Sequence, residues 1–133
     1  MIDIESYIFT KVEGVLRDEF EGVFVTGEAV RDEPDLPCVS IVESDNATNT
    51  STRDSSLIEN HAVLMYQVDA YSGLETGKKS QCRALIACAD DVFQKLGFVR
   101  IMMNPTPNLE APSVYRITAR YRAVVSKDWN ISS

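Results

Sequence analysis

HAVLMYQVDAYSGLETGKKSQC, residues 61–82, is the stretch whose reading decides the fold. Read one way, a strand runs through Gly73 into Gly77-Lys78-Lys79-Ser80 and a helix. That is the order of a phosphate-binding loop, and it would imply a parallel α/β sheet. Read the other way, a half-buried strand ends in a turn and a helix follows. The spacing separates the two. A phosphate loop needs four residues between its first glycine and the Gly-Lys pair, so that backbone N–H groups can wrap the phosphates. Here only Leu74, Glu75 and Thr76 intervene. Lys79 stands where a magnesium-holding hydroxyl is required, and Glu75 would set a carboxylate beside the phosphates. The feeding strand also alternates, with Ala62, Leu64, Tyr66, Val68 and Ala70 on one face, whereas a central parallel strand is apolar on both. The turn reading prevails, with Ser80 expected to cap the helix and to keep Lys78 and Lys79 out of its first turn, where positive charge opposes the macrodipole. Nucleotide binding is not expected.

Downstream, Cys82, Leu85, Ile86, Ala89, Phe93 and Leu96 recur at helical spacing as far as Gly97. FVRIMM (98–103) reads as a strand, followed by the proline-rich NPTPNLEAP. Ser113–Val125 alternates most cleanly of all. Tyr115, Ile117, Ala119, Tyr121 and Ala123 point one way, and Arg116, Thr118, Arg120 and Arg122 the other. Upstream, Ile4, Ile8, Val12 and Val15 predict a helix over Ile4–Phe20 with Asp3 at its start. VFVTGEAV and CVSIVES are strand candidates. Residues 44–60, SDNATNTSTRDSSLIEN, are polar enough to predict a long loop, either mobile or functional. Helix, strands, helix, strands without repeat or linker predicts a single α+β domain over 1–133, with a mixed, mainly antiparallel sheet of about five strands and two helices packed on one face.

Catalytic chemistry finds little footing. His61 is the only histidine, and no nearby Cys or Asp stands at ligand spacing. Cys38, Cys82 and Cys88 are too few for a disulfide scaffold and form no C-x-x-C pair, so they read as small buried side chains. Asp32-Glu33 and Asp90-Asp91 are paired acids of the kind that usually lie solvated. The three Asn-x-Ser/Thr sequons read as by-products of polar composition. No enzyme activity, cofactor or metal is expected.

With 20 acidic against 13 basic residues the net charge is −7, which disfavours nucleic-acid binding over most of the surface. No apolar run approaches the ~20 residues of a membrane span, and the acidic start lacks the basic region of a signal peptide. A soluble, intracellular product is therefore expected. The arginine stripe is the one basic feature with geometry, suited to pairing with carboxylates across a subunit boundary or to plain solvation.

Taken together, HAVLMYQVDAYS, GKKSQCRALIACADDVFQKLGFVRIMMNPTPNL and VYRITARYRAVVSKD resemble a family of small proteins of tailed phages and prophages of Gram-positive bacteria, known as tail-completion, minor capsid or head–tail joining proteins. The likeness runs from Cys38 to Asp128 and rests on extent, not on one motif. It implies a tail terminator in the virion, made in the bacterial cytoplasm: a ring, commonly of six copies, that caps the tail tube, meets the major tail tube protein and the head connector, and lets DNA pass its lumen without specific binding. A head-completion stopper or adaptor, or a small ligand-binding or regulatory domain without catalysis, are the alternatives. The candidate interface residues are Asp45, Arg53 and Asp54 of the polar loop and Arg116, Arg120 and Arg122 of the last strand.

Overall fold

The computed structural model describes residues 1–30, 35–49, 60–106 and 113–132. Its elements in chain order are α1 (Glu5–Glu19), β1 (Phe24–Thr26), β2 (Cys38–Thr48), β3 (His61–Ser72), α2 (Lys78–Leu96), β4 (Val99–Pro105), β5 (Tyr115–Ser126) and β6 (Ile131–Ser132). The strands form one sheet in the order β1-β2-β3-β5-β4, with β6 on the end of β5. Among the described residues only β1 and β2 run parallel, and every other pairing is antiparallel. This is the expected α+β fold, with a sixth strand added by the two residues of β6.

Both helices lie on one face of the sheet, because that face carries the apolar half of each alternating strand. Ala62, Leu64, Tyr66, Val68 and Ala70 of β3 are fully buried, as are Ala119, Tyr121, Ala123 and Val125 of β5. Burying each large aliphatic side chain is worth roughly 1.5–3 kcal/mol. On α1 the buried stripe is Ile8, Val12 and Leu16, continuing Ile4, whereas Val15, expected on it, is 37% exposed. The helix keeps a strict four-residue step, which brings Leu16 inward where α1 meets α2. From α2, Cys82, Leu85, Ile86, Ala89 and Phe93 are buried as the spacing predicted. Phe93 stacks on Tyr121 with ring centroids 4.4 Å apart, and Phe98 meets Phe93 and Tyr66 edge-on. The two phenols reach polar partners at the margins of the core. Tyr121 donates to Asp90 Oδ1 at 2.8 Å, and Tyr66 donates to Glu43 Oε1 at 3.3 Å. Asp90, expected as a solvated acid, thus anchors the core and also pairs with Arg100.

The residue 61–82 stretch resolves as a turn, with one correction. β3 is antiparallel to both β2 and β5, unlike the strand that feeds a phosphate loop. The helix begins at Lys78, however, and not at Ser80. Gly77 takes the N-cap position at φ 85°, a left-handed conformation that a side chain would strain. Lys78 and Lys79 therefore do occupy the first turn. Lys78 Nζ donates to the Ser113 carbonyl at 3.0 Å. At the other end Gly97 closes α2 at φ 105°, and an added Cβ there would come within 2.9 Å of the Ile131 carbonyl. Glycine is required twice over: by conformation and by the approach of β6.

The expected polar loop at 44–60 is shorter than its composition suggests. Residues 44–48 belong to β2, where Asp45, Asn46, Ala47 and Thr48 pair with Met65, Leu64, Val63 and Ala62. A bulge between Glu43 and Asp45 takes up Ser44 and allows pairing to continue. Asn46 Nδ2 further donates to the Ile2 carbonyl at 2.8 Å. Backbone pairing, which side-chain polarity does not forbid, overrides the loop signal. Residues 50–59 of that segment, with Arg53 and Asp54, lie outside the described residues, as do Asp32 and Glu33.

Candidate interaction surface

The face of the sheet away from the helices is built from cross-strand rows fixed by register. Cys38, Tyr71 and Arg116 form the first; Ser40, Asp69, Thr118 and Asn104 the next; then Val42, Gln67, Arg120 and Met102; then Asp45, Met65, Arg122 and Val99; then Ala47, Val63 and Val124. Two ends of this face differ sharply.

At the first end the side chains are covered and paired. Cys38, Tyr71 and Val114 form a small second core, with Val30 and Leu36 packed on it. Beneath it lies Asp69, 5% exposed. Its Oδ1 accepts from Arg116 Nε at 3.0 Å and from the Thr118 hydroxyl, and its Oδ2 accepts from Gln67 Nε2 at 2.9 Å. Thr118, with its proton committed to Asp69, accepts from Thr106 Oγ1 at 2.5 Å. Burial works against the charge of Arg116, but the hydrogen bond and charge of Asp69 more than offset it and raise the guanidinium pKa. The guanidinium also lies 5.4 Å from the centre of the Tyr71 ring. Burial beside Asp35 and Asp69 pushes the Cys38 thiol up to about 11, so this cysteine is held as an inert thiol. Cys82 is pushed up to about 11 and Cys88 to about 12 by burial in the main core.

At the second end the face is open. Val42, Val63, Met65, Met102 and Val124 are half-buried and belong to neither core cluster, and Val99 is exposed. Arg120 is exposed and, among the described residues, donates only to Gln67 Oε1, at 3.2 Å. Among the described residues, neither Arg120 nor Arg122 forms an ion pair, and Asp45 sits in the same row as Arg122 with Met65 between them.

The expected arginine stripe is therefore divided. Arg116 is half-buried and engages a buried carboxylate of its own chain, so its charge is already paired. Arg120, Arg122 and Asp45 are brought together on open surface, whereas Arg53 and Asp54 fall outside the described residues. Asp69 went unnoticed in the sequence. Its signal is an acid at mid-strand in line with the polar side of a basic strand. His61 opens β3 as expected, and among the described residues its Nδ1 is buried without a partner.

A second feature lies on the helical side, at the β1–β2 edge. A cavity of about 430 Å³ is floored by Phe9, Val25, Ile41 and Tyr66 and rimmed by Glu5, Ser6, Thr10, Thr26 and Glu28. Glu43, bonded to the Tyr66 hydroxyl, has its pKa raised by burial and then by the nearby charges of Glu5 and Asp3. None of these acids forms an ion pair among the described residues. No group of three or more His, Cys, Asp or Glu side chains among the described residues is placed to hold a metal ion. No described helix is long and apolar enough to cross a membrane.

No protein-family model matches the chain, and no curated protein matches it.

Proposed function

We propose that this chain is a structural virion subunit that caps a phage tail tube as a ring, commonly of six copies, and joins the tube to the head connector. The open half of the sheet, where Arg120 and Arg122 stand among half-buried Val42, Met65 and Val124, carries the reading. A surface of mixed apolar and unpaired cationic side chains gains most when another protein covers it. The sequence likeness to tail-completion proteins supplies the kind of partner: a second copy, the major tail tube protein and the connector. The −7 charge suits a lumen through which DNA moves without sticking.

The cavity beside α1 favours a second reading, a small ligand-binding or regulatory domain. Negative-stain microscopy of the purified protein, alone and mixed with tail tubes, separates the two. Rings and capped tube ends are expected. A protein that stays monomeric or dimeric and leaves tube ends bare overturns the terminator reading.

A further inference from the structure

We infer that the acidic cavity between α1, β1 and β2 is the socket for an arginine of a second copy, and that Arg120 is the side chain it receives. The inference rests on the ring reading and names the contact that would close it. The cavity and the arginine answer one another chemically. Arginine carries an apolar stem below a planar, weakly hydrated cation. Half-buried Phe9 offers the stem an apolar wall above the buried Val25, Ile41 and Tyr66, and Glu5 and Glu28 stand at the rim without ion-pair partners among the described residues. Ser6, Thr10 and Thr26 add hydroxyl acceptors for the remaining guanidinium protons. On the opposite face, Arg120 is exposed and its Nε alone is engaged, by Gln67, so both terminal nitrogens point to no described partner.

Placement sets the symmetry. The cavity lies on the helical side at the β1–β2 edge, whereas Arg120 lies on the other face, beside β4. A two-fold contact would need both patches in the same interface, which patches on opposite faces cannot satisfy. They join copies head to tail, the contact that generates rings where the rotation closes and filaments where it does not.

Charge exchange tests the contact. Glu28 is the residue to change, because its side chain is exposed while its backbone is held separately: its N–H by Thr26 Oγ1 at 3.2 Å and its carbonyl by Ser40 Oγ at 2.9 Å. Sedimentation of wild-type protein, Arg120→Glu, Glu28→Arg and the double variant would measure assembly, with circular dichroism as the check on folding. Each single reversal is expected to weaken assembly by about tenfold or more, the lower range for close interfacial charge pairs. The double variant is expected to recover most of the loss. Arg120→Lys and Glu28→Gln provide milder versions should a reversal impair folding, and each is expected to weaken assembly less than the reversal at its own position. If wild-type protein assembles but the reversals leave it unchanged, or their losses add without rescue, the socket is wrong and the ring stands. An effect of Glu28→Arg without one of Arg120→Glu equally overturns the pairing, since the socket would then take its cation from elsewhere. If wild-type protein forms no ring with or without tubes, the ring reading itself falls and the socket with it.

Discussion

Arg116 and Arg120 lie four residues apart on the same face of the same strand, yet the sheet treats them differently. Arg116 lies over the Tyr71 ring and is ion-paired to a buried carboxylate; Arg120 stands in the open with an amide for company. An alternating pattern specifies which side of a strand a residue occupies, but not whether anything covers that side. Coverage is decided row by row, by the segments that happen to cross. One end of the far face is thus part of the folded interior, and the other is surface available to a partner.

The sharpest way to break that comparison is to remove Asp69. Asp69→Ala would leave Arg116 and Thr118 without their acceptor under the small core, and breaking a buried pair in this way costs about 3–5 kcal/mol. Urea unfolding should show the unfolding free energy reduced by that amount, through a lower midpoint at an unchanged slope. A loss below ~1 kcal/mol would mean that the network is as solvated as the open end. The matching change at the open end, Arg120→Glu, should alter monomer stability by no more than ~0.5 kcal/mol, because Ile117 and Tyr121 still bury the opposite face. If the two substitutions destabilise the fold alike, the division between the ends is wrong.

The thiols offer a chemical measure of the same contrast. Cys38, Cys82 and Cys88 are buried and have raised pKa values, so a thiol reagent at pH 8 should modify none of them until the protein unfolds. Rapid labelling of Cys38 alone would show that the small core opens readily and that Arg116 is less enclosed than its contacts indicate.

The smallest effect is expected at Glu43, the acceptor of the Tyr66 hydroxyl. Its pKa is raised in the folded chain by burial and by Glu5, so above the usual carboxylate range the folded state binds more protons at this site than the unfolded state. The contribution of Glu43 to stability therefore falls as pH rises through that window. Glu43→Gln, which keeps an acceptor for the Tyr66 hydroxyl, should be more stable than wild type at pH 7 and lose that advantage near pH 3. An advantage that persists at pH 3 would assign the effect to packing. Titration calorimetry with ATP and magnesium should remain flat, since Gly73–Ser80 has neither the spacing nor the hydroxyl of a phosphate site. Heat of binding that disappears in Lys78→Ala would reverse the reading of that turn.

Periodicity alone determined much of this protein. The two-residue alternation in 61–71 and 113–125 specified the buried faces of β3 and β5, and the helical spacing from Cys82 to Phe93 specified the buried side of α2. These signals are local, and burial of one whole face enforces them. Tertiary structure alone decided three further matters. It extended β2 through polar residues 44–48, because backbone pairing with β3 is indifferent to side-chain polarity. It joined Asp69 to Arg116 across 47 positions, and it gathered Glu5, Glu28 and Tyr66 around one cavity. Contacts of that kind depend on register and on which segment crosses which strand, and neither is written in the spacing of any single element.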